Sequence, residues 1–249
     1  MIYIEKDTNH MAERGATLFA IDAKKNVKDR GRFLVALSGG GTPRPLFRKL
    51  KDEPFRSTIP WSKTHIFWVD ERCVPSTDEA SNYGAALKDF IGAVPVPESQ
   101  VHPMPGHLAG NKGSALYEKA LQNTLVTREE KLPVLDFVLL GIGKDGHTAS
   151  LFPGLEALEE SKRWVLSVKG GHPNVERLTL TFPIINHARK ILFMAAGKEK
   201  APIVKKVAEL HDKQYPASWV RPSMGKTIWL IDQDAASLLS KGSDYAIES

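Results

Sequence analysis

Cysteine is nearly absent from this sequence: Cys73 is the single example among 249 residues. One cysteine can form neither an internal disulfide nor an all-cysteine metal site, and such sparse use is typical of a reducing compartment. Long hydrophobic runs are also missing, since no stretch approaches the roughly 18 apolar residues of a membrane span. The first residues, MIYIEKDTNHM, lack the basic start and apolar run of a signal peptide. We therefore expect a soluble, cytoplasmic protein without a membrane partner.

The excess of charge of one sign is small. Lys and Arg total 34 against 29 Asp and Glu, which gives a net charge of +5 and a pI of about 9.2. A nucleic-acid binder normally concentrates its basic residues in a stripe or an arm. The most basic stretch here, residues 22–30, interleaves its basic residues with aspartates, as on a solvated helix face. We expect no nucleic-acid partner.

Motifs for metal binding and for a serine nucleophile are missing too. The eight histidines are scattered, and no helical pattern carries a His-x₃-His or Glu-x-x-His pair. No Gly-x-Ser-x-Gly elbow occurs. We therefore expect a site that works without a metal ion and without a cofactor.

Short apolar runs alternate with longer amphipathic segments along the chain. The runs predict strands at Ile2–Ile4, Phe33–Leu37, His65–Val69, Asp136–Leu140, Trp164–Val168, Leu178–Thr181, Ile191–Ala195 and Thr227–Ile231. The amphipathic segments predict helices at 9–28, 43–51, 79–91, 110–127, 183–188, 198–211 and 233–240. This alternation predicts one α/β domain over residues 1–249, with a doubly wound, mostly parallel sheet and helices on both faces. We expect the proline-rich segment Val94–Gly110 to run over the surface.

In such sheets, ligands bind beyond the carboxyl ends of the strands, and a glycine-rich loop follows one of them. The predicted strand Phe33–Leu37 leads into SGGGTP, residues 38–43. Glycines let the backbone turn tightly and approach a ligand, and the helix predicted from Pro43 points its positive end at the loop. The pattern indicates a phosphate cradle with Thr42 supplying a hydroxyl, and its alternative is a flexible turn. No Gly-Lys-Ser/Thr follows, so this is not a Walker A loop.

Three charged residues, Asp70, Glu71 and Arg72, follow the predicted strand His65–Val69. Arg72 can bind a phosphate or a carboxylate in bidentate fashion. The two acids can hold that arginine or contact a sugar hydroxyl. A surface ion pair is the alternative interpretation, and Cys73 is expected to be a small buried residue without a chemical role.

The loop GIGKDGHTAS, residues 141–150, is the most informative segment. Its glycines match the dinucleotide fingerprint formally, but Pro153-Gly154 would interrupt the helix that should follow. We favour a loop that presents His147 to a pocket, with Asp145 close enough to set its tautomer or orientation. The alternative is a structural histidine.

Two further cations stand at strand or helix ends late in the chain. Arg177 precedes the predicted strand Leu178–Thr181, and Lys200 lies in the first turn of the helix predicted after Ile191–Ala195. Either could reach an anion at the sheet edge. Alone, each is more typical of a solvated surface charge.

Together these loops resemble the 6-phosphogluconolactonases, within the larger group that includes glucosamine-6-phosphate deaminases and ribose-5-phosphate isomerases. The matching stretches occur in the family's order and over essentially the whole chain: LSGGGTP (37–43), VDERCVP (69–75), SNY (81–83), LLGIGKDGHTASLFPG (139–154), RLTLTFPIIN (177–186) and AAGKEKA (195–201). The resemblance implies a Rossmann-like three-layer sandwich. It also implies hydrolysis of 6-phosphoglucono-δ-lactone to 6-phosphogluconate, the second step of the oxidative pentose phosphate pathway.

The resemblance also implies roles for individual residues. His147 would be the catalytic base, and we place Asp145 with it in the catalytic set. The phosphate and substrate contacts are expected from Gly40, Gly41, Thr42, Asp70, Arg72, Asn82, Arg177 and Lys200. We expect a phosphosugar lactone as the partner molecule and a monomer or small homo-oligomer.

The deaminases of the same group are the main alternative. They resemble GIGxDGHIAFNEP, with a glutamate five residues after the histidine, whereas this chain has Phe152 there. An apolar ring cannot assist a histidine in sugar ring opening, so the sequence favours a lactonase. A phosphosugar-binding module without activity is a further alternative.

The mechanism expected from these residues is water attack on the lactone carbonyl with His147 as general base. The oxyanion donors stay open between backbone N–H groups of the 141–147 loop and a cationic side chain. The partner of His147 stays open between Asp145 and Glu71.

Overall fold

The main sheet of the protein is parallel and has eight strands, in a computed structural model that describes residues 1–108, 110–125, 133–240 and the backbone of 245–246. Its order is β11-β1-β10-β9-β6-β2-β3-β5, and each pairing is parallel. These strands are β1 Ile2–Glu5, β2 Phe33–Leu37, β3 Thr64–Trp68, β5 Val101–His102, β6 Phe137–Gly141, β9 Lys190–Ala195, β10 Lys226–Asp232 and β11 Tyr245–Ala246. The predicted parallel α/β sheet is confirmed.

Helices connect these strands. They are α1 Thr8–Arg30, α2 Arg44–Leu50, α3 Phe55–Thr58, α4 Asn82–Asp89, α5 Gly110–Leu125, α6 Phe182–Ile185, α7 Ala201–Val204 and α8 Gln233–Ala236. The longest, α1, begins where the Asp7 carboxylate accepts hydrogen bonds from the N–H groups of Asn9 and His10, and it ends at Gly31 with φ 75°. None of the described helices is both long and apolar enough to cross a membrane.

Three strands form a separate antiparallel sheet, which the sequence analysis did not predict. These are β4 Asp70–Arg72, β7 Val165–Gly170 and β8 Val175–Leu180, in the order β4-β8-β7. The segments predicted as strands near 164–168 and 178–181 are strands, but assigning them to the parallel sheet was wrong. Only residues 171–174 connect β7 to β8, and so short a connection can join antiparallel strands but not parallel ones.

Several predicted helices are shorter in the structure. Predicted helix 79–91 is α4, because the Ser81 Oγ accepts the Gly84 N–H and starts the helix there. The predicted helix at 198–211 is divided into a 3-10 turn, α7 and a π-helical turn over Lys205–Glu209. The helices predicted at 183–188 and 233–240 correspond to the shorter helices α6 and α8. The last two residues of the predicted helix 110–127 lie outside the described residues.

The segment Val94–Gly110 is more than a surface excursion. Its residues Val101–His102 form β5 and pair with Ile66 and Phe67 of β3, at the edge of the main sheet. A two-residue strand carries too little pattern to be recognised in a sequence.

The core is built around the middle strands. All five residues of β2 are buried, and the rings of Phe19 from α1, Phe33 from β2 and Phe137 from β6 pack edge to face at 5.3–6.3 Å. Because β2, β3, β6 and β9 are parallel neighbours, their carboxyl ends lie at one edge. The loops that carry the predicted site residues therefore meet there.

A stacked histidine pair at the sheet edge makes stability sensitive to acid. His65 Nδ1 lies 3.1 Å from His102 Nε2, and the His102 ring stacks on Phe67 at 4.4 Å. Burial, and then the charge of His65, lower the pKa of His102 to about 4. Burial and then the charge of Arg32 lower the pKa of His65.

Because the pKa of His102 is lower in the folded protein, its contribution to stability is complete above about pH 6.5 and is lost as the pH falls towards 4. We expect His102→Phe to reduce this loss by about 1–2 kcal/mol, a value already discounted for solvent screening. Thermal unfolding from pH 7 to pH 4 measures the effect. The exposed His107→Phe is the control, and equal acid sensitivity in His102→Phe and wild type would contradict the prediction.

Candidate active site

One cleft at the carboxyl edge of the sheet brings together nine of the ten predicted site residues. They are Gly40, Gly41, Thr42, Asp70, Arg72, Asn82, His147, Arg177 and Lys200. The tenth, Asp145, is not among the lining residues and contacts the ring of His147. The sequence analysis therefore located the cleft, although the chemical role of each residue stays a prediction.

His147 and Asp145 form a tight pair. His147 Nδ1 lies 2.6 Å from Asp145 Oδ1, and the backbone N–H of His147 donates to the same oxygen at 3.2 Å. Partial burial pushes the pKa of the Asp145 carboxyl upward, but the hydrogen bond and charge from His147 outweigh burial and hold that pKa below its usual value. An ionised Asp145 assigns the proton to Nδ1 and leaves Nε2 as an acceptor.

Glu71, the other partner that the sequence left open, is engaged elsewhere. Its buried carboxylate accepts the backbone N–H groups of Arg72, Asn82 and Tyr83 at 2.7–2.8 Å, and the Ser81 hydroxyl at 3.0 Å. Burial raises the pKa of Glu71, with these hydrogen bonds opposing it. Glu71 thus anchors the start of α4, and Asp145 is the carboxylate that contacts His147.

Gly143 leaves the space that the His147–Asp145 pair occupies. A Cβ at this position would lie 2.1 Å from His147 Nδ1 and 2.4 Å from Asp145 Oδ1. The Gly143 N–H also donates to the His147 carbonyl at 2.9 Å, which closes the loop on itself. No side chain fits here unless the pair moves.

We expect Gly143→Ala to lower kcat at least about tenfold, because a displacement of about 1 Å can cost up to about a hundredfold. Steady-state kinetics measure the effect, with thermal unfolding to confirm folding. Gly41→Ala is the comparison for kcat alone: a Cβ there meets no protein atom within 4 Å, and because Gly41 belongs to the loop expected to hold the phosphate, any effect should fall on KM. An unchanged kcat in Gly143→Ala would contradict the inference that Gly143 leaves the space that the His147–Asp145 pair needs.

The hydrogen bonds of the loop narrow the choice of oxyanion donors. Gly143 N donates to the His147 carbonyl, Gly146 N to the Gly143 carbonyl at 3.0 Å, and His147 N to Asp145. These three N–H groups of the 141–147 loop are therefore committed within it. The oxyanion donor is therefore either another N–H group of this loop or a cationic side chain.

Phe152 packs against His147. Its ring centroid lies 4.5 Å from that of His147, with a tilt of 48°, and the Arg177 Cζ lies 5.5 Å from the same Phe152 centroid. The sequence analysis used Phe152 only to exclude a glutamate at its position. The structure adds that the phenyl ring packs against both the His147 imidazole and the Arg177 guanidinium.

Two arginines face the cleft from directly opposite positions of the small sheet. Arg72 in β4 is the register partner of Arg177 in β8. Like charges directly opposite each other on antiparallel strands are destabilising. Arg177 is only 5% exposed, and burial followed by the charge of Arg72 lowers its pKa. Such a pair is typical of a site completed by an anion.

A network of hydrogen bonds orients Arg72. Its Nη1 donates to the carbonyl of Ala80 at 2.6 Å and to Asn82 Oδ1 at 3.0 Å. Asn82 Nδ2 donates to Asp70 Oδ1 at 3.2 Å, and the Ser150 hydroxyl donates to Asp70 Oδ2 at 2.7 Å. Asp70 and Asn82 therefore hold the arginine from its own side of the cleft, and Ser150 is a contributor that the sequence analysis missed.

The glycine loop leaves open space in front of its backbone. A Cβ at Gly40 or Gly41 would meet no atom within 4 Å, and Gly40 has φ 87°, a conformation that favours glycine. The following helix, α2, has only seven residues and starts at Arg44. The anion-binding potential predicted for this loop therefore rests on its backbone and on Thr42 rather than on a long helix.

Lys200 reaches the cleft from the 3-10 turn Lys198–Lys200, which follows β9. Its Nζ donates to the carbonyl of Ile142 at 2.9 Å, which connects it to the loop of His147. Burial is the main cause that lowers its pKa. An exposed ion pair, Lys144 Nζ to Glu199 Oε2 at 2.6 Å, joins the same two loops beside it.

The fold and the cleft define an α/β enzyme that binds an anionic small molecule beside a histidine–aspartate pair. Among the described residues, no group of three or more His, Cys, Asp or Glu side chains is placed to hold a metal ion. The family model described as glucosamine-6-phosphate isomerases/6-phosphogluconolactonase matches residues 6–229. The chain belongs to this family.

Curated relatives carry the second of those names. The 6-phosphogluconolactonase of Synechocystis sp. is 38% identical over 233 residues, covering 92% of this chain and 94% of the relative. The 6-phosphogluconolactonase of Nostoc sp. is 36% identical over 239 residues, covering 94% and 96%.

Solved structures extend the similarity. The 6-phosphogluconolactonase of Trypanosoma brucei has a TM-score of 0.84 at 27% identity, covering 96% of this chain and 98% of its own. A monomeric glucosamine-6-phosphate deaminase has a TM-score of 0.79 at 21% identity, covering 96% of this chain and 100% of its own. The deaminase likeness shows the fold alone, so the fold does not separate the two activities.

Proposed function

We propose that this protein hydrolyses 6-phospho-D-glucono-1,5-lactone to 6-phospho-D-gluconate. The observation that carries the proposal is the placement of the His147–Asp145 pair in the same cleft as Arg72, Arg177 and Lys200. One end of the cleft is suited to a general base and the other to a phosphate. Relatives that cover nearly the whole chain are named for this reaction.

In the first step, a water molecule attacks the lactone carbonyl carbon while His147 Nε2 takes its proton. Asp145 holds the ring through Nδ1–H and stabilises the imidazolium that forms. The carbonyl oxygen becomes an oxyanion. Because Arg72 and Arg177 are placed at the phosphate, we assign the oxyanion to Lys200, whose Nζ contacts the His147 loop through the Ile142 carbonyl.

In the second step, the tetrahedral intermediate collapses and the bond from the carbonyl carbon to the ring oxygen breaks. The protonated His147 gives its proton to that oxygen, which becomes a hydroxyl group. The carboxylic acid that results ionises at neutral pH and releases one proton. Each turnover thus regenerates the neutral imidazole and acidifies the solution.

The phosphate end positions the substrate for this attack. Arg72 and Arg177 supply charge-assisted hydrogen bonds, each worth about 1.5–3 kcal/mol, and the Gly40–Thr42 backbone closes around the group. The oligomeric state stays a prediction of a monomer or small homo-oligomer. A cytoplasmic location also stays a prediction, because relatives include a rice protein named as chloroplastic at 37% identity.

Phe152 argues for the lactonase over a deaminase. Ring opening of an amino sugar and isomerisation need a second proton carrier beside the histidine, and a phenyl ring fills that place at 4.5 Å from His147. Lactone hydrolysis needs a single base that returns its proton. The phenyl ring of Phe152 is therefore compatible with lactone hydrolysis and not with deamination of an amino sugar.

The test is acid release in a pH-stat from freshly generated 6-phosphoglucono-δ-lactone, with ammonia release from glucosamine 6-phosphate measured in parallel. We expect acid release well above the spontaneous rate and no ammonia. Ammonia without enhanced acid release would indicate a deaminase. If neither acid release above the spontaneous rate nor ammonia were detected and the protein still bound 6-phosphogluconate, it would be a phosphosugar-binding protein. That result would overturn the proposal.

A further inference from the structure

A second cavity shares no described lining residue with the active-site cleft. It has a volume of about 330 Å³. Its floor is the stacked pair of Phe193 from β9 and Trp229 from β10, with ring centroids 4.4 Å apart, and Ile2 and Val207 extend the apolar wall. A cavity of this size accommodates one aromatic ring with a short side chain.

The polar lining of this cavity favours an anionic group at one end. Arg221 lies at the cavity and its Nε donates to the Ser218 carbonyl at 3.2 Å, which fixes the position of the guanidinium. No acidic residue appears among the described residues that line the cavity. A guanidinium beside an apolar wall fits a single carboxylate on an apolar body, since its fork matches the two carboxylate oxygens.

Ser218 is unsatisfied as the structure stands. The residue is 5% exposed, and its Oγ is buried without a hydrogen-bond partner in the described part of the chain. Leaving a buried hydroxyl unpaired destabilises the folded protein. Because Ser218 lines the cavity, its hydroxyl is a candidate donor to an acceptor bound there.

The backbone at the cavity is irregular in a way that is common at functional sites. Val207 belongs to the π-helical turn Lys205–Glu209, and His211 lines the cavity with φ 52°, which is rare for a residue other than glycine. Both features cost stability and persist where they shape a site.

We propose that this cavity is a second small-molecule site, which binds a carboxylate on an apolar, ring-sized body and is linked to the active site. The link is the segment Tyr215–Trp219, which lies between the two sites. Ala217 lines the cavity and its N–H donates to the Gly146 carbonyl at 2.9 Å, next to His147. Tyr215 packs where a side chain on Gly146 would be, at 2.5 Å from the position of its Cβ.

Calorimetric titration with phenylacetate tests the site directly, with phenylacetamide as the uncharged equivalent. We expect phenylacetate to bind and phenylacetamide to bind far more weakly. Arg221→Gln should weaken phenylacetate binding about 10- to 100-fold, the value of a charge-assisted hydrogen bond. Ser218→Ala should weaken it several-fold without lowering the melting temperature, because the hydroxyl has no partner to lose.

Arg56→Gln is the matched control. Arg56 is also exposed, its Nε also donates to a backbone carbonyl, that of Ala93 at 3.0 Å, and it is not among the described cavity residues. Its substitution should leave phenylacetate binding unchanged. Binding lost in Arg177→Gln but kept in Arg221→Gln would place the ligand in the active site and overturn the proposal, as would no binding to wild type.

The link between the sites is tested by kinetics. Saturating phenylacetate should change KM or kcat for lactone hydrolysis about fivefold in wild type and Arg56→Gln, and not in Arg221→Gln. If phenylacetate bound without changing KM or kcat, the link to the active site would be overturned, whereas the proposed binding site would stand. This arm rests on the proposed function, whereas the calorimetric arm does not, so the two failures are distinguishable.

Discussion

Replacing His147 with alanine should lower kcat for lactone hydrolysis by about 10²- to 10⁴-fold, the usual contribution of a placed general base. The dissociation constant of 6-phosphogluconate should change little, because we place the phosphate at Arg72, Arg177 and the glycine loop rather than at His147. Acid release in the pH-stat measures the first effect, and calorimetric titration with the product measures the second. Added imidazole should restore part of the lost rate, since the space left by the side chain opens onto the cleft.

His10 is a matched control for this substitution. It is exposed, and its Nδ1 contacts Asp7 Oδ1 at 2.8 Å, a pairing like that of His147 and Asp145 but outside the cleft. His10→Ala should keep full kcat. A near-normal kcat in His147→Ala would refute the mechanism.

The arrangement of the main sheet follows from local patterns that the sequence displays. Strands such as Phe33–Leu37 are apolar throughout, and such runs between amphipathic segments predict buried parallel strands. The small sheet was missed for the opposite reason. Asp70–Arg72 is charged, and its strand conformation depends on pairing with Arg177–Thr179, more than a hundred residues away.

The position of the site was predictable, whereas its internal contacts were not. Loops after parallel strands meet at one edge, which is why nine predicted residues line one cleft. Asp145 rather than Glu71 contacts His147, because backbone N–H groups at the start of α4 bind the Glu71 carboxylate. The sequence does not show where that helix start lies relative to Glu71. The contact of Phe152 with His147 also depends on how the chain turns between them. A spacing of five residues does not determine that turn.

The opposed arginines lead to the second large prediction. Arg177→Gln should raise KM for the phosphorylated lactone about 10- to 100-fold, since one charge-assisted contact to the phosphate is lost. The kcat at saturation should stay within a few-fold, because His147 and Asp145 are unchanged. Hydrolysis of the unphosphorylated glucono-δ-lactone, which lacks the anion, should be unaffected. The ratio of kcat/KM for the two lactones is therefore the decisive measurement.

Arg177→Lys should recover part of the KM effect, because it keeps the charge but not the planar fork. Arg163→Gln is the control: this half-buried arginine donates to the Ser114 hydroxyl at 3.0 Å and is not among the described cleft residues. Arg177→Gln also removes the hydrogen bonds from Arg177 to the carbonyls of Gly170 and Pro173 at 2.9 and 3.4 Å. The melting temperature of each variant without ligand is therefore its own baseline, and 6-phosphogluconate should raise it more in wild type than in Arg177→Gln. If both lactones lost kcat/KM equally in Arg177→Gln, Arg177 would serve the reacting centre or the fold rather than the phosphate.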